Sequence, residues 1–261
     1  MPPDFRNPPV NEVVIATYFS SPISALRTEH IGLFWAKIRQ DFPSAVQRPP
    51  VPMEEPTPGT EVFPAPRYWF VARDDASLLQ LQKGAFMFNW RRREAAYPRF
   101  HILKPQFDKY YDLFINFARA EIQCPEPSID LCELTYVNAI HTCEYWTGPS
   151  DTPNVIPSFP LIDPGPRNPV STGFTSTFAF ETDIDVLLNV GIRSGTTVEE
   201  PIVPILLFEI KATAKLESAT KLAADSWFDR AHAAVMDCFI GMTDSNIQRQ
   251  HWKRVESPPD G

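Results

Sequence analysis

Glycine and cysteine are both scarce in this chain, and the motifs that mark several common enzyme classes are missing. Its 261 residues include 10 glycines and 4 cysteines. The sequence has no phosphate-binding glycine loop, no HExxH zinc motif and no serine-nucleophile motif. We therefore expect a protein that binds rather than catalyses, with no cofactor and no metal ion.

The cysteines themselves argue against a structural zinc site. No two of them have CxxC spacing, which such sites commonly use. We expect free thiols in a reducing compartment, at Cys124, Cys132, Cys143 and Cys238.

Long apolar runs and net positive charge are also lacking. No apolar segment reaches the length of about 18 residues that a membrane-spanning helix needs, and the first nine residues contain no hydrophobic signal region. We therefore expect a soluble cytoplasmic protein that does not bind a membrane. The formal net charge of −8 argues against a general binder of nucleic acid or of anionic lipid.

Proline and hydrophobic residues are abundant. The chain has 28 prolines, and 43% of its residues are hydrophobic, enough to form a substantial core. Proline is concentrated at 43–66 and 147–173, which we interpret as extended connectors, the second of them mobile. The sequence predicts one domain over residues 1–256 and a disordered tail at 257–261.

The hydrophobic periodicity predicts an α+β fold. We expect a single antiparallel or mixed sheet of about six or seven strands, with three main helices packed against it. The strands are predicted at 10–19, 67–73, 78–82, 86–90, 129–144, 174–188 and 202–215. The helices are predicted at 23–41, 105–121 and 219–242, where Pro105 would occupy the first turn of the second.

Aromatic and basic residues meet most densely at 78–100, here called the aromatic–basic stretch. Strand alternation places Phe86, Phe88 and Trp90 on one face, opposite Met87 and Asn89. Arginine can bind carboxylate or phosphate through two hydrogen bonds and can stack on aromatic rings. The candidate binding residues are Asn89, Trp90, Arg91, Arg92, Arg93, Tyr97 and Arg99.

Three interpretations of the aromatic–basic stretch remain open. The rings can be core while the arginines pair with carboxylates of this acidic chain. The stretch can instead bind a protein partner or a second copy of the chain, or, less favoured, nucleic acid or a nucleotide. Among the functional interpretations, we favour an intracellular interaction protein that uses this strand end.

Two further groups of residues provide alternative sites. Histidines on apolar helix stripes suggest a small-ligand pocket between helices and sheet, lined by His30, Asn138, His141 and His232. Glu209 and Lys211 follow an apolar strand in the Glu-x-Lys order of some metal-dependent nucleases, for which Asp185 or Asp183 would supply the upstream carboxylate. Strand alternation allows Glu209 and Lys211 to share a face.

Several blocks of the sequence together resemble a known family. They are Asn7–Val14, His30–Trp35, Leu79–Gln82 with Phe88–Arg91, Glu133–Asn138, and the region of Ala231 and His232. In their order along nearly the whole chain they resemble a sporadically distributed family of uncharacterised bacterial proteins. The resemblance implies a single-domain cytosolic protein of a mobile, defence-related or toxin–antitoxin gene group, without catalytic residues to carry over.

Overall fold

In a computed structural model, residues 4–50, 66–160, 171–179, 185–197 and 200–255 are described. They form eleven strands: β1 (Asp4–Phe5), β2 (Val10–Phe19), β3 (Ser44–Arg48), β4 (Arg67–Val71), β5 (Ser77–Gln82), β6 (Ala85–Arg91), β7 (Ile129–His141), β8 (Thr172–Ala179), β9 (Leu187–Thr196), β10 (Pro204–Lys215) and β11 (Arg254–Val255). They also form five α-helices: α1 (Thr28–Ile38), α2 (Phe100–Glu121), α3 (Thr152–Val155), α4 (Lys221–Met242) and α5 (Ser245–Gln250).

The fold is α+β with a large antiparallel sheet, as the periodicity predicts. The numbers of strands and helices differ from the expected six or seven strands and three main helices. The main sheet has nine strands, and the described residues include five helices. The strand order is β3-β4-β5-β6-β2-β7-β10-β9-β8, while β1 and β11 form a separate pair. Among the described residues, no helix combines the length and the apolar character that crossing a membrane requires.

The chain divides into two compact units. The first unit contains the described residues within 1–13, 134–213 and 228–261, and the second those within 14–133 and 214–227. The single-domain interpretation of residues 1–256 stays a prediction. The tail at 257–261 lies outside the described residues.

An aromatic core holds the second unit together. Phe86 of β6 is fully buried, and its ring centroid lies 5.9, 5.7 and 5.6 Å from those of Phe107, Tyr111 and Phe114 on α2. Phe34 of α1 contacts Phe114 in the same core, at 5.5 Å. The aromatic side chains of α2 therefore lie in the core.

The first unit has its own aromatic core. Phe239 of α4 stacks on Phe208 of β10 at 5.9 Å and contacts Trp252 at 5.1 Å. Phe5 of β1 meets Phe239 edge-on at 5.5 Å. The pairing of β1 with β11 thus brings the two ends of the described chain to the same helix.

The observed helices begin at other residues than predicted. The N–H of Ile23 donates to the carbonyl of Lys83 in the β5–β6 turn. The residues around Ile23 therefore pack on this turn, and α1 starts only at Thr28. Helix α2 starts at Phe100, which places Pro105 inside the helix rather than in its first turn. The predicted helix at 219–242 is confirmed, to within two residues at its start.

Strands β3 and β9 were not predicted from the sequence, for different reasons. All five residues of β3 are exposed, so their sequence has no apolar alternation and they fall within the predicted connector at 43–66. Residues 51–65 of that connector lie outside the described residues. Strand β9 contains Gly191 and Gly195, and the strand predicted at 174–188 covers only its first two residues, although Leu188, Val190 and Ile192 alternate along it and are buried. In the predicted loop at 147–173, a 3₁₀ turn and α3 occupy 149–155, and 161–170 is not described.

Candidate functional site

One face of strands β3 to β6 in the second unit carries a tryptophan among arginines. Trp69 on β4 is opposite Val46 of β3 and Gln80 of β5, and Arg67 is opposite Arg48. Opposed residues of antiparallel strands project to the same face, so these side chains are neighbours. Two residues of β6 share the face, which we call the tryptophan–arginine face: Arg48, Arg67, Trp69, Gln80, Asn89 and Arg91.

Three guanidinium groups surround the indole of Trp69. Their Cζ atoms lie 4.8 Å (Arg48), 5.4 Å (Arg67) and 6.0 Å (Arg91) from the ring centroid. A guanidinium at this range is attracted by the electron-rich face of the indole, an interaction worth about 0.5–1 kcal/mol at exposed sites. The ring therefore gathers positive charge from three different strands.

Gln80 fixes the arrangement through its side-chain amide. Its Oε1 accepts hydrogen bonds from Arg67 Nη1 at 2.9 Å and from Trp69 Nε1 at 3.0 Å. Its Nε2 donates to Asn89 Oδ1 at 2.6 Å. Gln80 is 5% exposed and Asn89 is 3% exposed, so this network is shielded from water and gives the face a defined geometry.

The charge on this face is only partly neutralised. Burial lowers the pKa of Arg67 below its ordinary value, and the positive charge of Arg48 lowers it further. Within the part of the chain that is described, neither Arg48 nor Arg67 forms an ion pair with a carboxylate. The Nε atoms of Arg67 and Arg91 are buried and have no hydrogen-bond partner there. The face thus retains unused donors and positive charge.

The face continues toward β2 through Tyr18. The hydroxyl of Tyr18 donates to Oε2 of Glu133 at 3.1 Å. Burial, followed by the charge of Glu133, raises the pKa of Tyr18 well above its usual range. The residue therefore stays a neutral hydrogen-bond donor at every physiological pH.

The arginine run at 91–93 is organised by Asp75. Asp75 lies in the β4–β5 turn in a left-handed conformation, with φ of 55°, which aspartate tolerates better than most residues. Its carboxylate accepts a short hydrogen bond from Arg91 Nη2, and bonds of 2.7 and 2.5 Å from Nε and Nη2 of Arg93. Burial lowers the pKa of Arg92. Two of the three arginines thus share one carboxylate.

The other residues predicted from this stretch occupy different positions. Trp90 and Tyr97 are 4% and 8% exposed, and their rings contact each other at 5.4 Å. Alternation along β6 places Trp90 on the face opposite Asn89, together with the core residue Phe88. Arg99 precedes α2 and donates from Nη1 to the carbonyl of Tyr97 at 2.9 Å. The predicted site is therefore divided between two faces of the sheet.

The four candidate pocket residues belong to different compact units. His30, in the second unit, accepts a hydrogen bond at Nδ1 from the N–H of Arg27 at the start of α1. In the first unit, the ring of His232 lies 6.1 Å from Tyr136, and Asn138 Nδ2 donates to the carbonyl of Phe208 at 3.0 Å. His141 is exposed at the end of β7. The hydrogen bond to His30 stabilises the start of α1, and the hydrogen bond from Asn138 links β7 to β10.

The residues of the nuclease alternative lie on and beside strand β10. Glu209 and Lys211 are partly buried between the fully buried Phe208, Ile210 and Ala212, so they share a face of β10. Asp185 is exposed two residues before β9, and Asp183 lies outside the described residues. Within the described ranges, no group of three or more His, Cys, Asp or Glu side chains could hold a metal ion.

Four members of the tryptophan–arginine face were not predicted from the sequence. They are Arg48, Arg67, Trp69 and Gln80, contributed by three strands. The alternation of Arg67 and Trp69 along β4 was a usable signal, because it places both side chains on one face. The register that adds Arg48 and Gln80 is not visible in the sequence.

Comparison with protein-family models, with curated proteins and with solved structures finds no match to this chain. The resemblance to the sporadically distributed bacterial family therefore stays a prediction. The geometry of the tryptophan–arginine face is the basis for a functional proposal.

Proposed function

We propose that this protein is a non-enzymatic interaction protein that binds an acidic segment of a protein partner on the tryptophan–arginine face. The observation that carries the proposal is the convergence of three guanidinium groups on Trp69, with no carboxylate among the described residues paired to Arg48 or Arg67. Arginine and tryptophan are also the residue types that most often dominate the energy of protein interfaces.

The chemistry of the face matches carboxylates. A guanidinium can bind a carboxylate through two parallel hydrogen bonds, and it keeps this ability while stacked on an indole. The Gln80 network holds Arg67 in place, so less conformational entropy is lost when a ligand binds. A glutamate- or aspartate-rich segment would therefore find a prearranged set of donors.

The overall charge favours a short acidic segment over a nucleic acid. The formal net charge of −8 repels a long polyanion, whose phosphates extend far beyond the local positive patch. A short peptide meets only the local field, which the guanidinium groups dominate.

Binding of a fluorescently labelled glutamate-rich peptide, followed by anisotropy at low salt, tests the proposal. We expect saturable binding by the full chain, weakened at least about tenfold in the double variant Arg48→Gln/Arg67→Gln, since each charged hydrogen bond contributes about 1.5–3 kcal/mol. Arg119→Gln is the matched control, because Arg119 is an exposed arginine of the same unit and its ion pair with Glu126 is long, at 3.8 Å.

Two outcomes contradict the proposal. One is a double variant that remains folded by circular dichroism and binds the peptide as tightly as the wild type. The other is a single-stranded oligonucleotide that binds more tightly than the peptide and depends on the same two arginines, which would assign the face to nucleic acid.

A further inference from the structure

Strand β8 of the first unit is the last strand of the main sheet. It pairs with β9 along its whole length, from Thr172 opposite Ser194 to Ala179 opposite Leu187. No strand of the described residues pairs with its other side. Gly173, Thr175 and Thr177 are exposed, and Phe178 is 39% exposed, so this edge is accessible.

Within the described residues, β8 has none of the usual protection against pairing. Proteins normally block long edge strands with charged residues, proline, bulges or short length. The eight residues of β8 contain neither charge nor proline, and their register with β9 is regular. Strand β3, at the other end of the strand order, has only five residues and is followed by two prolines after Arg48.

The sequence of β8 is nearly the same in both directions about its centre. From 173 to 179 it reads Gly-Phe-Thr-Ser-Thr-Phe-Ala, symmetric about Ser176 apart from the small residues at the two ends. When two copies of such a strand pair antiparallel with Ser176 opposite itself, each residue meets its own type. Phe174 is then opposite Phe178 of the second copy, and Thr175 is opposite Thr177.

The side chains on both faces of the paired strands would make favourable contacts. Phe174, Ser176 and Phe178 follow the buried residues Ile192, Val190 and Leu188 of β9, so two Phe–Phe pairs would extend the apolar face. The threonines would pair on the other face, and aromatic and Thr–Thr pairs each contribute about 0.2–1 kcal/mol.

The backbone N–H and C=O groups of β8 are also compatible with this two-fold symmetry. Only alternate residues of β8 direct their N–H and C=O groups away from β9. Either alternate set, the even or the odd positions, is symmetric about Ser176. A two-fold axis at this residue therefore aligns donors with acceptors in both cases.

We propose that β8 is a self-association edge, through which two copies of this chain form a two-fold dimer by antiparallel β8–β8 pairing centred on Ser176. Such an interface is isologous, the commonest type in homo-oligomers. It uses no residue of the tryptophan–arginine face, so its test is independent of the proposed function.

The mass in solution tests the dimer. Size-exclusion chromatography with light scattering on the full chain should give the mass of two copies for the wild type and of one copy for Thr175→Lys. The added ammonium group blocks an edge that has no charge of its own. Val46→Lys, on the exposed edge strand β3, is the control and should remain a dimer. A monomeric wild type, or a dimer that survives Thr175→Lys, overturns the proposal.

A cross-linking experiment tests the register without relying on that variant. In the proposed pair, the two Cα atoms at position 176 lie about 4.5–5.5 Å apart, within the range of a disulfide. The two Cα atoms at position 175 lie about 8 Å apart, beyond that range. Mild oxidation should therefore cross-link Ser176→Cys and leave Thr175→Cys at the level of the wild type, whose own cysteines set the background. Equal cross-linking of the two variants, or none at Ser176→Cys, overturns the proposed register.

Discussion

Lys104 Nζ lies 2.6 Å from Asp225 Oδ1 and thereby joins α2 to the first turns of α4. The same ammonium group binds Asp108 at 2.8 Å, and Lys221 binds both carboxylates. The Lys104 side chain is only 10% exposed. Four alternating charges thus form one network within the second unit.

Loss of Lys104 should destabilise the fold. We expect Lys104→Met to lower the free energy of unfolding by about 2 kcal/mol, because it leaves poorly hydrated carboxylates short of a partner. The cost is below that of a fully buried pair, since the Asp225 side chain is 36% exposed and keeps Lys221. Urea denaturation measures it. Lys215→Met, which removes an ion pair with a 79% exposed lysine, should cost less than about 0.5 kcal/mol. Equal losses in the two variants would contradict a structural role for the network.

The same network predicts how stability depends on pH. Burial opposes the ionisation of Asp225, but hydrogen bonds and charges from Lys104 and Lys221 outweigh it and hold its pKa below the ordinary value. A carboxyl group with a lowered folded pKa stabilises the fold above its unfolded pKa, and this contribution is lost as the pH falls. We expect the free energy of unfolding to decrease between about pH 5 and pH 3, and to decrease less in Asp225→Asn. Parallel curves for the two proteins would show that Asp225 does not contribute.

Gln80 should matter for stability as well as for the geometry of the face. Removal of its amide in Gln80→Ala leaves Arg67, Trp69 and Asn89 without the hydrogen bonds that it supplies. We expect a loss of about 2 kcal/mol in the free energy of unfolding, typical of unsatisfied buried polar groups. Gln47→Ala, on the exposed strand β3, should be nearly neutral in the same urea titration. A neutral Gln80→Ala would mean that water replaces the network without penalty.

The reactivity of the cysteines should follow their burial. Cys132 is fully buried, and burial raises the pKa of its thiol to about 12. At pH 8 only about one molecule in ten thousand would carry the reactive thiolate. Cys124 is partly exposed. Iodoacetamide labelling followed by mass spectrometry should therefore modify Cys124 well before Cys132, with the difference abolished in urea. Equal rates in the native protein would contradict this prediction.

The elements with strong apolar periodicity could be located from the sequence. Strand Val10–Phe19 is confirmed to the residue, because both of its faces are apolar. The exposed β3 has no burial pattern to reveal it, and the glycines of β9 interrupt the β-branched residues that mark a strand. Strand β3 is held in the sheet mainly by its pairing with β4, whereas β9 also buries Leu188, Val190 and Ile192.

The candidate site shows the same limit. Asn89 and Arg91 could be selected because aromatic and basic residues are adjacent along β6. Trp69 and Gln80 lie on other strands, and only the register brings their side chains to the same place. The sequence also could not show that Asp75 binds Arg91 and Arg93. The direction of its carboxylate depends on the left-handed backbone conformation of Asp75 in the turn.

The place of β2 in the sheet has a consequence for biosynthesis. This strand is made before both of its neighbours in the sheet, β6 and β7, and its Thr17 side chain donates to the carbonyl of Phe86, 69 residues later in the chain. Strands β3, β4 and β5, in contrast, each pair with the next strand of the chain, so that these hairpins involve only local contacts. During translation neither of the strands that flank β2 in the sheet is therefore available to it until β6 has been made.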